Sequence, residues 1–112
     1  MYLLLRNNIS RKFPILFSSL TTKWESNGTG DGQFNQPFGV GVDGSGKVYV
    51  VDRKNDRIQK FDSSGNFITK WGSDGIGDGQ FQGPVHVAGD SSGNVYVSDN
   101  SYERIQKFTS GE

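Results

Sequence analysis

The chain has 112 residues, room for one small domain, with a hydrophobic fraction of 32% and 16 glycines, a turn-rich rather than helix-rich composition in which short runs of Val, Tyr and Phe argue against disorder. It has no cysteine, which excludes disulfides and thiolate metal sites. Net charge is zero, but Arg6, Arg11, Lys12 and Lys23 precede the first acidic residue and leave the rest about four charges acidic, which argues against a broad polyanion-binding surface.

Residues 1–19 read as an N-terminal extension. Met1–Leu5 and Phe13–Phe17 are apolar, yet both are too short for a membrane span, which needs ~20 residues. Arg6, Asn7, Asn8, Arg11 and Lys12 interrupt the continuous apolar stretch that a secretory signal wants, so a targeting segment is the weaker reading. The basic residues here lack interleaved aromatics on a sheet face, and a solvated tail is favoured over a nucleic-acid or membrane contact. Asn8-Ile9-Ser10 and Asn27-Gly28-Thr29 fit the glycosylation sequon, which carries meaning only in a secreted chain.

From Leu20 onward the sequence repeats at an offset of roughly 47 residues, with about 24 of some 43 aligned positions identical. Leu20–Trp24 matches Phe67–Trp71, and both read as strands. The loops Ser26–Phe34 and Ser73–Phe81 follow. Phe38–Asp43 and Val85–Asp90 then alternate small and apolar residues and lead into the turns Gly44–Gly46 and Ser91–Gly93. Val48–Val51 with Arg57–Phe61, and Val95–Val97 with Arg104–Phe108, are expected to form antiparallel hairpins across polar turns. Asp62–Asn66 closes the first unit. No useful helical period is present. Four short strands per unit cannot cover both faces of a sheet alone, so the pattern predicts blades of a β-propeller. The small residues of Phe38–Asp43 suit a crowded innermost strand, and Trp24 and Trp71 a wide outer one.

The motif Gly-Asp-Gly-Gln-Phe, then Pro, Gly-Val-Gly-Val-Asp, Val-Tyr-Val-x-Asp and Arg-Ile-Gln-Lys-Phe resembles the NHL repeat. The resemblance implies an all-β partial propeller of two four-stranded antiparallel blades, the second lacking its outer strand. On this reading residues 24–70 are the first repeat and 71–112 the second, within a propeller region 20–112. Family members are usually six-bladed and serve mostly as interaction platforms, so the resemblance fixes a fold rather than a function.

The candidate site residues each have a plainer structural role. The Gly28-x-Gly30-x-Gly32 and Gly75-x-Gly77-x-Gly79 loops lack the helix N-terminus or Lys-Ser/Thr of a phosphate loop and read as structural turns. Asp74-x-Ile76-x-Asp78-Gly79 puts Ile76 and Val85 where a calcium loop needs oxygen ligands. Asp52 with Arg57, and Asp99 with Arg104, flank the hairpin turns, and their recurrence marks them as structural turn pairs. His86, the single histidine, stands where the first repeat has Gly39, near the expected channel mouth, as a polar channel residue with a ligand contact as the sharper alternative. One histidine is a poor zinc site.

These features point to a non-catalytic binding or scaffold module with no catalytic residue, metal or cofactor, taking a protein or small ligand at a propeller face. The alternatives are a fragment of a lyase- or lactonase-like propeller enzyme, which needs several inward metal ligands, and an RNA-binding domain, which needs a basic face. A RING-type ligase function cannot reside here without cysteine. Two blades leave both end faces bare, so the isolated monomer is expected to be unstable or to associate. The strands are cut one out of phase, which suits either a ring of three chains or a longer propeller, the latter being the plainer expectation.

Overall fold

The structure, a computed structural model, describes residues 19–109. Its strands form two antiparallel sheets. The first contains β1 (Pro37–Val42), β2 (Val48–Asp52), β3 (Arg57–Phe61) and β4 (Phe67–Trp71), hydrogen-bonded in that order. The second contains β5 (Pro84–Gly89), β6 (Val95–Asp99) and β7 (Arg104–Phe108), also in sequence order. A 3-10 turn, Arg53–Asn55, bridges β2 and β3. The molecule is all-β, with sheets arranged as expected for part of a propeller.

Both expected hairpins form, in the same register one repeat apart. Val48 pairs with Phe61 and Asp52 with Arg57; Val95 pairs with Phe108 and Asp99 with Arg104. Three other connections share one chemical device. Asp43 Oδ1 accepts the amides of Ser45 and Lys47, Asp62 Oδ1 those of Ser64 and Asn66, and Asp90 Oδ1 those of Ser92 and Asn94. Each turn then needs a left-handed residue, which glycine takes without a Cβ penalty: Gly46, Gly65 and Gly93 have φ of 82, 93 and 84°.

Strand alternation sends Tyr49 and Val51 of β2 to one face of the first sheet and Val48 and Val50 to the other. Tyr49, Val51 and Ile58 meet Phe81, Val87, Val95 and Val97 in the core between the sheets. The opposite face carries a smaller cluster of Phe34, Val50 and Phe61, against which Trp24, Val48 and Phe67 pack. The sheets come closest at their inner strands. A Cβ on Gly39 or Gly41 would stand 2.4 Å from the carbonyl oxygen of Val85 or Val87, so a side chain at either position would force β1 and β5 apart.

One expectation is corrected. Leu20–Trp24 forms no strand, although its counterpart Phe67–Trp71 is β4. The residue pattern is the same, but β4 has the edge of β3 to pair with, and β3 is thereby taken. Leu20–Trp24 has no strand to complete its ladder, and an unpaired edge segment is not a strand. It is nonetheless held in place: the Trp24 indole packs edge-on against Phe61 and donates to the Gly65 carbonyl over 3.2 Å.

Candidate functional site

The recurrent polar residues converge on the glycine-rich loops. Arg57 closes the β2–β3 turn beside Asp52, with Nε donating to Asp52 Oδ2 over 2.8 Å. Its other nitrogens donate to the carbonyls of Thr29, Gly30 and Gln33 at 2.8, 3.0 and 3.0 Å. Gln59, two residues along the same face of β3, donates to the Gln33 carbonyl and accepts from the Gly32 amide. Asp52 also accepts the Asn35 amide and the Asn55 and Gln59 side-chain amides. The guanidinium fork thus reaches three carbonyls of one loop, two of which also accept other bonds, from the Gln33 amide and from Gln59.

The second repeat rebuilds most of this clasp. Arg104 donates to the carbonyls of Ile76, Gly77 and Gln80, and Gln106 bridges Gln80 and Gly79 as Gln59 does one repeat earlier. Asp99 and Arg104 are opposed in register but form no ion pair. Asp99 turns instead to the backbone amides of Gln82, Gly83 and Ser101, and the Arg104 Nε is buried without a partner. The structure therefore brings Asp52 and Arg57 into contact and leaves Asp99 and Arg104 out of it.

The loop amides are engaged as well. Gly28 N donates to the Phe34 carbonyl and Gly30 N to Gln33 Oε1, with Gly75 and Gly77 making the same bonds to Phe81 and Gln80. These amides are thus matched within their own loops. Among the described residues, no group of three or more His, Cys, Asp or Glu is placed to hold a metal ion.

His86 lies exposed on β5, and its amide donates to Ser98 Oγ at 3.2 Å. With Ala88, Tyr96, Ser98 and Ile105 it borders an open depression of about 130 Å³ on the outward face of the second sheet. A larger apolar recess of about 390 Å³ lies between the sheets, bordered by Tyr49, Lys60, Trp71, Val95 and Phe108. Asp56 and Asp74 line a further open groove with Lys54 and Lys70. Burial, then the nearby charges of Asp74 and Asp99, push the Asp56 carboxyl above its ordinary value.

Sequence reasoning missed Gln59, Gln106 and the Tyr49–Asp43 bond, in which the phenol donates to Asp43 Oδ2 over 2.7 Å. Burial works to raise the Asp43 carboxyl, but bonds from Tyr49, Ser45 and Lys47 outweigh it and hold it below the usual range. Tyr49 is raised by burial and by this carboxylate. Recurrence at the repeat offset is the available signal for the glutamines, since an amide kept in both copies two residues from the arginine, on the same strand face, implies a fixed partner.

Comparison with known proteins places the repeat. Residues 34–61, from Phe34 to the end of β3, match the family model of the NHL repeat. The chain is 44% identical over 62 residues to Protein lin-41 of Caenorhabditis elegans, covering 55% of this chain and 5% of that protein. It is 56% identical over 36 residues to NHL repeat-containing protein 3 of Homo sapiens, covering 32% of this chain and 10% of that protein. With E3 ubiquitin-protein ligase TRIM71 of Rattus norvegicus it shares 48% over 42 residues, 38% of this chain and 5% of that protein. The chain thus matches between about a twentieth and a tenth of the length of these relatives.

Proposed function

We propose that the chain is a non-catalytic binding or scaffold module, organised as an extension over residues 1–19 and two propeller repeats over 24–70 and 71–112. One observation carries this reading: the polar residues that recur, Asp52, Arg57 and Gln59 with Asp99, Arg104 and Gln106, are committed to holding loops. Residues committed to backbone groups in two copies do not have the single, convergent geometry of a catalytic constellation. What differs between repeats, above all His86 in place of Gly39, is surface available for recognition. A protein segment or small ligand at the propeller face near His86 is the occupant this reading favours. The stretch matching TRIM71 is a small part of that ligase, so ligase activity does not pass to this chain with the match.

The test is selection of a displayed random-peptide library on the purified chain, together with an assay for aryl ester and lactone turnover with added divalent cations. Recovered peptides whose binding falls on His86→Ala, with no turnover, are the expected result. Turnover above background that is lost in His86→Ala, with the β-sheet spectrum kept, overturns the reading in favour of an enzyme.

A further inference from the structure

The loops Ser26–Phe34 and Ser73–Phe81 differ from each other at two positions. Asn27 stands where the second repeat has Asp74, and Thr29 where it has Ile76. These are the two residues that a glycosylation sequon requires. Asn27-Gly28-Thr29 is complete, while Asp74-Gly75-Ile76 has neither the acceptor amide nor the hydroxyl.

The loop itself needs neither residue. Both copies hold the same backbone, with Gly28 and Gly75 at φ of 151 and 153°. The Ser26 carbonyl accepts the Phe34 amide and Gly28 N donates to the Phe34 carbonyl; Ser73, Gly75 and Phe81 repeat both bonds. Gln33 Oε1 takes the Gly30 amide as Gln80 takes that of Gly77. Arg57 donates to the Thr29 carbonyl and Arg104 to the Ile76 carbonyl, each over 2.8 Å, so the arginine engages the backbone and an isoleucine serves in the same place. Among the described residues, the Asn27 side-chain amide and the Thr29 hydroxyl form no hydrogen bond, and both side chains are exposed. This exposure does not come from an absent neighbour. Thr29 and Asp74 line the groove between the two repeats, with the turn residues Lys54–Arg57, and both remain exposed there.

We propose that Asn27 is an acceptor for an N-linked oligosaccharide, with Thr29 supplying the hydroxyl that the transferase recognises. In that reaction the Asn27 side-chain nitrogen attacks the anomeric carbon of a lipid-diphosphate-linked oligosaccharide. A carbon–nitrogen bond forms, the bond from that carbon to the diphosphate oxygen breaks, and the nitrogen gives up one proton. An N-linked sugar is bulky and needs a surface position. This loop provides one without loss, because the bonds to Phe34, Gln33 and Arg57 that hold it use no atom of the Asn27 or Thr29 side chain. The second repeat keeps the same loop and cannot be modified, so the sugar marks one repeat and not the other. Transfer of this kind belongs to secreted chains, so this loop must reach the lumenal or outer side of a membrane.

The test expresses the 112-residue chain behind a cleavable secretory leader in a glycosylating host, with Asn8→Gln removing the other sequon, and maps its peptides by mass spectrometry. The peptide containing Asn27 is expected to carry sugar, and N-glycosidase treatment should leave aspartate at that position, the residue that the second repeat already has there. Thr29→Ser should keep the sugar. Thr29→Ile should lose it and keep the urea midpoint and the β-sheet spectrum, because Ile76 holds the same place in the second repeat. An unmodified Asn27, whether the chain is secreted or held back in the cell, overturns the proposal. So does a sugar-bearing chain whose urea midpoint lies below that of its enzymatically deglycosylated form, since the loop would then need the position bare. A lowered midpoint in both Thr29→Ile and Asn27→Asp would show that the loop uses these side chains, and counts against it as well.

Discussion

Arg57 and Asp52 form an ion pair 2.8 Å long in which the Asp52 side chain is wholly withdrawn from solvent and the Arg57 side chain is 9% exposed. The pair binds the hairpin turn to the glycine-rich loop of the same unit, since Asp52 holds the Asn35 amide while Arg57 holds three loop carbonyls. Its counterpart in the second repeat keeps the loop contacts and lacks the pair. The first sheet therefore depends on this charge balance and the second does not.

Substitution should expose that asymmetry. Asp52→Asn leaves the Arg57 charge buried without a counterion and is expected to cost about 3–5 kcal/mol. Asp99→Asn disturbs bonds to backbone amides but strands no newly unpaired charge, so its cost is nearer 1–3 kcal/mol. Urea titrations of the two variants against the parent chain check the order. Equal losses would mean that the Asp52–Arg57 pair contributes nothing beyond its hydrogen bonds.

The inter-sheet core makes a second prediction. Phe81 is fully buried against Tyr49, Val97 and Phe108, with its ring 6.0 Å from that of Phe108. Phe81→Ala should remove about 3–5 kcal/mol. A smaller loss, read from the urea midpoint, would show that the two sheets close over the cavity.

Acid should unfold the chain through its turns. Hydrogen bonds hold Asp62 and Asp90 below the ordinary carboxylate range, chiefly those from Asn66 and Asn94 respectively, and Asp43 lies below it despite its burial. A carboxylate with a depressed folded-state value contributes stability that is present above its unfolded value of about 3.9 and lost as pH falls through the folded one. The melting temperature should therefore drop as pH decreases below about 4. Asp43→Asn should flatten that dependence. A parent chain whose melting temperature stays level down to pH 2 would contradict the argument.

Asp56 carries the opposite sign. Burial, then Asp74 and Asp99, raise its carboxyl, so its ionisation works against the folded state and stability is lost as pH rises through the folded value. Its φ of 51° is left-handed, a conformation that asparagine tolerates. Asp56→Asn should thus raise the melting temperature at pH 7 and have no benefit at pH 3. Loss of stability at pH 7 would point to an ion pair that the geometry does not contain.

The two hairpins and the turn positions were legible in the sequence because each rests on local chemistry. Val48–Val51 and Arg57–Phe61 alternate with the strand period, and Asp-x-x-Gly and polar connectors bend the chain at fixed places. Repetition at one offset marks the three inner strands of the two sheets as counterparts in the sequence itself. Three matters were settled only by tertiary structure, for reasons that lie outside any local window. Leu20–Trp24 has the residues of a strand, but pairing requires a neighbour, and the edge of β3 is already filled by β4. Asp52 and Asp99 are the same residue in the same motif, yet only one meets its arginine, because the choice depends on which backbone amides the adjoining loop presents. The small residues of Phe38–Asp43 already mark a crowded inner strand, but what crowds it was decided likewise: Gly39 and Gly41 allow β1 to approach the carbonyls of Val85 and Val87, a contact between segments roughly one repeat apart.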